Sequence, residues 1–154
     1  MKKFGILLLS LFATNAYSGA YYCQVDNGSE EFSNYFGWGT HIWKVEWEKK
    51  ADKFTVNSFQ YLFCLTDEEG CPEVSELNFA VNPTKPHPGF AFSQIMGVHP
   101  SKGWAVLFSI DSSKLPTDGN PFYTDFTGEA VLLFPTEGKS VVERSKVACT
   151  KIYD

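Results

Sequence analysis

The chain has 154 residues, with 18 acidic against 13 basic side chains and a formal net charge of -5. A net acidic chain whose one arginine is Arg144 lacks the basic surface that phosphate neutralisation requires, which argues against nucleic acid and anionic lipid as partners. No apolar run reaches the roughly 20 residues of a spanning helix, so no integral membrane segment is expected.

Lys2 and Lys3 precede an apolar run, Phe4 to Ala13, and small and polar residues follow as far as Ala20. That is the layout of a secretory signal peptide. Ser18-Gly19-Ala20 is the preferred cleavage site, with Ala16-Tyr17-Ser18 as the alternative. The expected organisation is a signal peptide over 1–20 and a single domain over 21–154, long enough to build its own core. Without Lys2 and Lys3 the balance becomes 18 acidic against 11 basic groups, or -7. Cys23 follows no lipoprotein-type box, so no lipid anchor is expected. The excess of lysine over arginine points to an AT-rich bacterial genome, and the short leader fits Gram-negative export. A signal peptide reports only passage across the inner membrane, so the product is secreted or periplasmic. Its oligomeric state is left open.

Four cysteines, Cys23, Cys64, Cys71 and Cys149, lie in the mature part. An even count in an oxidising compartment predicts disulfides, and the preferred pairs are Cys23–Cys149 and Cys64–Cys71. The first would staple the first strand to the last. No C-x-x-C pair occurs and no histidine is spaced to complete one, so no metal and no cofactor are expected.

The dominant period is two. His41, Trp43, Val45 and Trp47 alternate with Ile42, Lys44, Glu46 and Glu48, which reads as a half-buried strand. Lys49 to Asp52 predicts a hairpin. In Lys53 to Leu65 the apolar parity switches from Phe54 and Val56 to Phe59, Tyr61 and Phe63, which predicts a bulge near Asn57-Ser58. Further strands are read at Leu77 to Val81, from Phe90 and Phe92, at Trp104 to Ile110, at Ala130 to Phe134 and at Ser140 to Ile152. A last hairpin is read over Pro135 to Lys139. Three prolines keep Pro83 to Gly89 out of any ladder. Asp26 to Gly39 and Asp111 to Pro121 read as loops, with one helical turn allowed over Glu30 to Phe36. The fold class is all-β, an antiparallel β-sandwich or small barrel of about eight strands, disulfide-stabilised.

No sequence motif for catalysis is present: neither G-x-S-x-G nor S-x-x-K occurs. His41 shares the parity of Trp43, which fits a hydrogen-bonded strand-end histidine better than a general base. His87 and His99 sit beside prolines in loops. The carboxylates group as Glu30/Glu31, Glu46/Glu48, Asp67 to Glu69 and Glu73/Glu76, which reads as a solvated acidic face. Asp118-Gly119-Asn120, with Asp111 and Asp125, does not match the calcium-loop pattern and reads as a turn.

Aromatics are the unusual feature, at 16% of the chain. Tyr35, Phe36 and Trp38 fall in the Gly-punctuated stretch N-Y-F-G-W-G, and Trp104 follows a His-Pro-Ser-Lys-Gly turn. Phe122 and Tyr123 follow Asn120-Pro121. Rings on loops offer large rigid area for stacking on sugars or anchoring a protein. The competing reading is that Phe36 and Trp38 fold back to plug one end of the domain.

Two short stretches resemble the family of periplasmic C-type lysozyme inhibitors. Tyr22-Cys23 followed by Asn27-Gly28 is similar to its opening strand, and Gly128-Glu129-Ala130-Val131-Leu132 is similar to its Gly-x-Glu-Ala-x-Leu strand without the spacer. The family's Ser-Gly-x-x-Tyr inhibitory loop is not read here: the pattern falls only at Ser18 to Tyr22, at the expected leader junction, so no inhibitory residue carries over. The expected function is therefore non-catalytic binding of a glycan or extracytoplasmic protein through Tyr35, Phe36, Trp38 and Trp104. The alternatives are a secreted hydrolase using His41 or His99 with an acid, and an inhibitor of a foreign hydrolase such as lysozyme.

Overall fold

The structure is a computed structural model of the full chain, described here for residues 16–25, 36, 39–51, 53–64, 73–82, 84, 90–111, 125–136 and 138–153. These residues form nine strands: β1 Ala16–Val25, β2 Thr40–Lys50, β3 Lys53–Cys64, β4 Glu73–Glu76, β5 Asn78–Asn82, β6 Gln94–Val98, β7 Ala105–Ile110, β8 Asp125–Thr136 and β9 Lys139–Tyr153. They make one sheet in the order β4-β3-β2-β1-β9-β8-β7-β6-β5, and every pair is antiparallel. The two ends of that order, β4 and β5, are consecutive in the chain and separated only by Leu77. The sheet therefore curls back on itself into a nearly closed barrel. Leu77 N–H donates to the Phe59 carbonyl of β3 at 2.9 Å, which ties the seam. Of the two architectures compatible with the sequence, the barrel is the one formed. Near-closure sets the two remaining edges, β4 and β5, at one seam instead of leaving them at opposite sides of an open sheet.

The interior is filled by side chains. Tyr21, Trp43, Trp47, Phe59, Tyr61, Phe92, Phe108, Ile95 and Leu132 are all buried at 2% exposure or less. Such large rings fit only because inward glycines face them. A Cβ on Gly97 of β6 would stand 2.7 Å from the Phe59 ring and 2.8 Å from Leu77. Gly97→Val is expected to destabilise the barrel by roughly 1–3 kcal/mol through overpacking. Urea unfolding of the two proteins measures the difference.

The expected bulge is present. Glu46 pairs Ser58 while Trp47 pairs Val56, so Asn57 is the extra residue of β3. The slip puts Ser58 and Phe59 in succession at low exposure and returns Phe59, Tyr61 and Phe63 to the inward face. Ser58 hydroxyl then donates to the Glu76 carboxylate at 2.9 Å.

Cys23 and Cys149 stand directly opposite each other on β1 and β9 and are disulfide-bonded inside the barrel, across 126 residues of chain. Cys64 is disulfide-bonded as well, and its expected partner Cys71 lies outside the described residues. One expected strand start is corrected. Phe90 and Phe92 precede β6, which begins at Gln94, and both rings are buried along with Ala91. Residues 90–92 lie outside the strands. They cross the barrel end instead, where Phe90 stacks on Tyr21 with centroids 5.8 Å apart and Ala91 N–H donates to the Tyr21 hydroxyl at 3.1 Å.

Candidate functional site

The seam creates the site. Among the described residues β4 pairs only with β3, and β5 only with β6, so above Leu77 the sheet has a notch beside β4. The turn between β6 and β7, residues 99–104, occupies it. His99 N–H donates to the Trp104 carbonyl at 2.9 Å, and Gly103 takes φ +72, a left-handed conformation that a side-chain-bearing residue resists. Lys102 reaches across the notch and its ammonium pairs with the Glu73 carboxylate at the start of β4.

His99 is built into this turn. Its Nδ1 accepts the N–H of Lys102 at 3.0 Å and of Ser101 at 3.2 Å. Two donors on Nδ1 place the proton of the neutral ring on Nε2. That Nε2 is buried with no hydrogen-bond partner among the described residues. Burial, reinforced by the positive charge of Lys102 and opposed by Glu73, holds its pKa below the ordinary histidine value.

Aromatic rings gather at the same end. Phe36 packs against Phe134 at 4.9 Å, Trp104 at 5.3 Å, Tyr61 at 5.4 Å and His41 at 5.9 Å, centroid to centroid. His41 Nδ1 shares a 2.7 Å hydrogen bond with the Tyr61 hydroxyl. Burial, with the Glu73 charge adding to it, pushes the Tyr61 phenol far above its usual pKa, so it stays protonated. Between the rings and the ion pair lies a cavity of about 210 Å³, lined by Phe36, Tyr61, Glu73, Lys102, Trp104, Phe134 and Pro135. A wider groove of about 790 Å³ runs beside Tyr22, Gln24, Ile42, Asp125, Thr127 and Thr150. Its lining includes the Tyr22 and Phe126 rings with Asp111 and Asp125 but no basic side chain among the described residues, whereas the smaller cavity joins several rings to an ion pair and is the candidate site.

The structure thus brings together Phe36 and Trp104, two of the four aromatics singled out in the sequence, from loops far apart in the chain. Trp104 is 5% exposed and lies beneath Phe36, which is itself half-buried. Tyr35 and Trp38 lie outside the described residues, as do His87, Asp118 to Asn120, Phe122 and Tyr123. Asp125 takes part in β8, where its carboxylate accepts the Thr150 hydroxyl at 3.0 Å. Among the described residues no three His, Cys, Asp or Glu side chains group as metal ligands would, and no helix is long and apolar enough to cross a membrane.

Glu73 and Lys102 were not legible as a pair, although Glu73 shares the inward parity of Leu77, Phe79 and Val81. Lys151 is a second omission. It is 3% exposed inside the opposite end of the barrel, with its ammonium 5.0 Å from the Trp47 ring centroid, 5.5 Å from Phe90 and 5.9 Å from Phe54. The parity of Val147 and Cys149 already pointed it inward. No family model, no curated protein and no solved structure matches this chain.

Proposed function

We propose that the chain is an exported, non-catalytic binding protein. It meets a glycan or a protein partner outside the cytoplasm, through the barrel end that carries Phe36. The observation that supports this most is the convergence of Phe36 and Trp104 on a small cavity edged by the Glu73–Lys102 pair. With the barrel interior filled, recognition falls to the loops at its mouth, a common place for sites on such folds. The cavity is below drug-ligand size and suits a sugar ring or a single anchoring side chain. The disulfide between β1 and β9 agrees with folding in an oxidising compartment, and the leader-like N-terminus supplies the export route.

The hydrolase alternative is less well supported. His99 commits Nδ1 to two backbone donors, and His41 is buried against Tyr61, so neither ring is presented as a free base. Separate His41→Ala, His87→Ala and His99→Ala variants are expected to keep binding per folded molecule.

The test is an oligosaccharide array together with immobilised C-type lysozyme, probed with the processed protein and with Trp38→Ala. Binding is expected for the wild type and is expected to vanish in the variant, with the melting temperature nearly unchanged. A large loss of thermal stability in Trp38→Ala would instead identify Trp38 as a plug of the barrel end.

A further inference from the structure

β1 begins at Ala16, four residues before Ala20, where the preferred leader cleavage falls. The intervening segment Tyr17 to Ala20 is not peripheral to the barrel. On one side Tyr17 pairs Lys49, Ser18 pairs Glu48, Gly19 pairs Trp47 and Ala20 pairs Glu46. On the other side Gly19 pairs Tyr153 and Ala20 pairs Ile152. Tyr17 sets its ring edge-on to Trp47 at 6.1 Å, and the Lys49 ammonium lies 5.4 Å from the Tyr17 centroid.

Gly19 shows how closely this segment is fitted. A Cβ there would stand 2.3 Å from the Ile152 carbonyl oxygen and 2.6 Å from Trp47 Cζ2, so only glycine lets β1 pass between the Trp47 ring and β9. Removal of Tyr17 to Ala20 would leave Glu46 to Lys49 of β2 without their β1 partners, paired to β3 alone. It would also uncover Trp47, which is 1% exposed. The result is a further unpaired edge, this one bearing an aromatic ring, in a barrel whose other edges are those of β4 and β5.

Thr14-Asn15-Ala16 places a threonine and an alanine where Ser18-Gly19-Ala20 places a serine and an alanine, and it follows the apolar run more closely. We propose that export processing cuts the chain after Ala16, so that Tyr17 becomes the mature N-terminus and Tyr17 to Ala20 form the first half of β1. This rests on the export reading above, and the experiment separates the two.

The full-length gene is expressed with its own leader in a Gram-negative host. The periplasmic product is then read by intact mass and N-terminal sequencing. A start at Tyr17 is the expected result. A start at Gly19 or Tyr21 overturns the proposal while leaving export in place. An unprocessed chain retained in the cytoplasm overturns both. Gly19→Val, expressed in the same way, gives a second readout. A retained Gly19 predicts a product carrying the extra mass of the valine side chain, with a melting temperature lowered by roughly 5–10 °C or no folded product at all. If Gly19 leaves with the leader, the variant yields a mature protein identical to wild type in mass and melting temperature.

Discussion

Replacing Cys23 and Cys149 together by alanine is expected to lower the stability of the folded protein by roughly 4–5 kcal/mol. The two residues face each other in register on β1 and β9, the strands nearest the two chain ends, and their bond closes 126 residues. A loop of that length restricts the unfolded chain strongly, which is where most of a disulfide's effect arises in the chain-entropy description. Both side chains are buried, Cys23 at 0% and Cys149 at 3%, so the substitution also removes packing against the core. For a domain of this size the change corresponds to a fall in melting temperature of about 10–20 °C. Thermal unfolding followed by circular dichroism, with the wild type in the presence and absence of reductant as a control, reads it directly. A loss of less than about 1 kcal/mol would mean that the β1–β9 pairing holds the barrel without the bond.

The second large effect has the opposite sign. Lys151→Met is expected to stabilise the protein at neutral pH, by up to about 3 kcal/mol. Burial among Trp47, Phe90 and Phe54, with the nearby charge of Lys49 adding to it, lowers the Lys151 pKa from 10.5 to about 8. The folded-state pKa is below the unfolded value, so the unfolded chain holds more protons between about pH 8 and 10.5. Stability attributable to this group therefore rises with pH across that window, and its full cost stands below pH 8. Methionine keeps the length of the chain and removes the charge. Urea unfolding of both proteins at pH 7, 8, 9 and 10 should give the largest difference at pH 7 and a shrinking one above pH 8. Destabilisation by Lys151→Met at pH 7 would show that the contacts of the ammonium outweigh its desolvation.

Much of the fold was legible because a barrel stave with a filled interior has a strict period of two. The His41 to Trp47 alternation and the parity slip at Asn57 both appear in the structure as read. Closure was harder to see. It depends on Leu77, where one run of chain changes partner from β3 to β6, and no local pattern marks that exchange. Inward glycines were a usable sign, because Gly19, Gly97 and Gly128 all sit where a Cβ would meet a large ring or a backbone oxygen. Phe90 and Phe92 misled because alternate rings imitate a strand, whereas here they cap the barrel end against Tyr21 and Phe126. The site was half legible. Loop aromatics flagged Phe36 and Trp104, but the ion pair beside them joins residues 29 positions apart and exists only because the 99–104 turn fills the notch beside β4.

The proposed binding end is tested most directly by locating where a ligand contacts the protein. Amide NMR shifts of the labelled, processed protein would be recorded during titration with soluble peptidoglycan fragments, and separately with C-type lysozyme. The expected result is a saturable set of changes with at least one probe, centred on Phe36, His41, Tyr61, Glu73, His99, Lys102 and Trp104. Changes confined to the opposite end, around Phe90 to Gln94 and Asp111, or no change with either probe, would contradict a binding site at the Phe36 end.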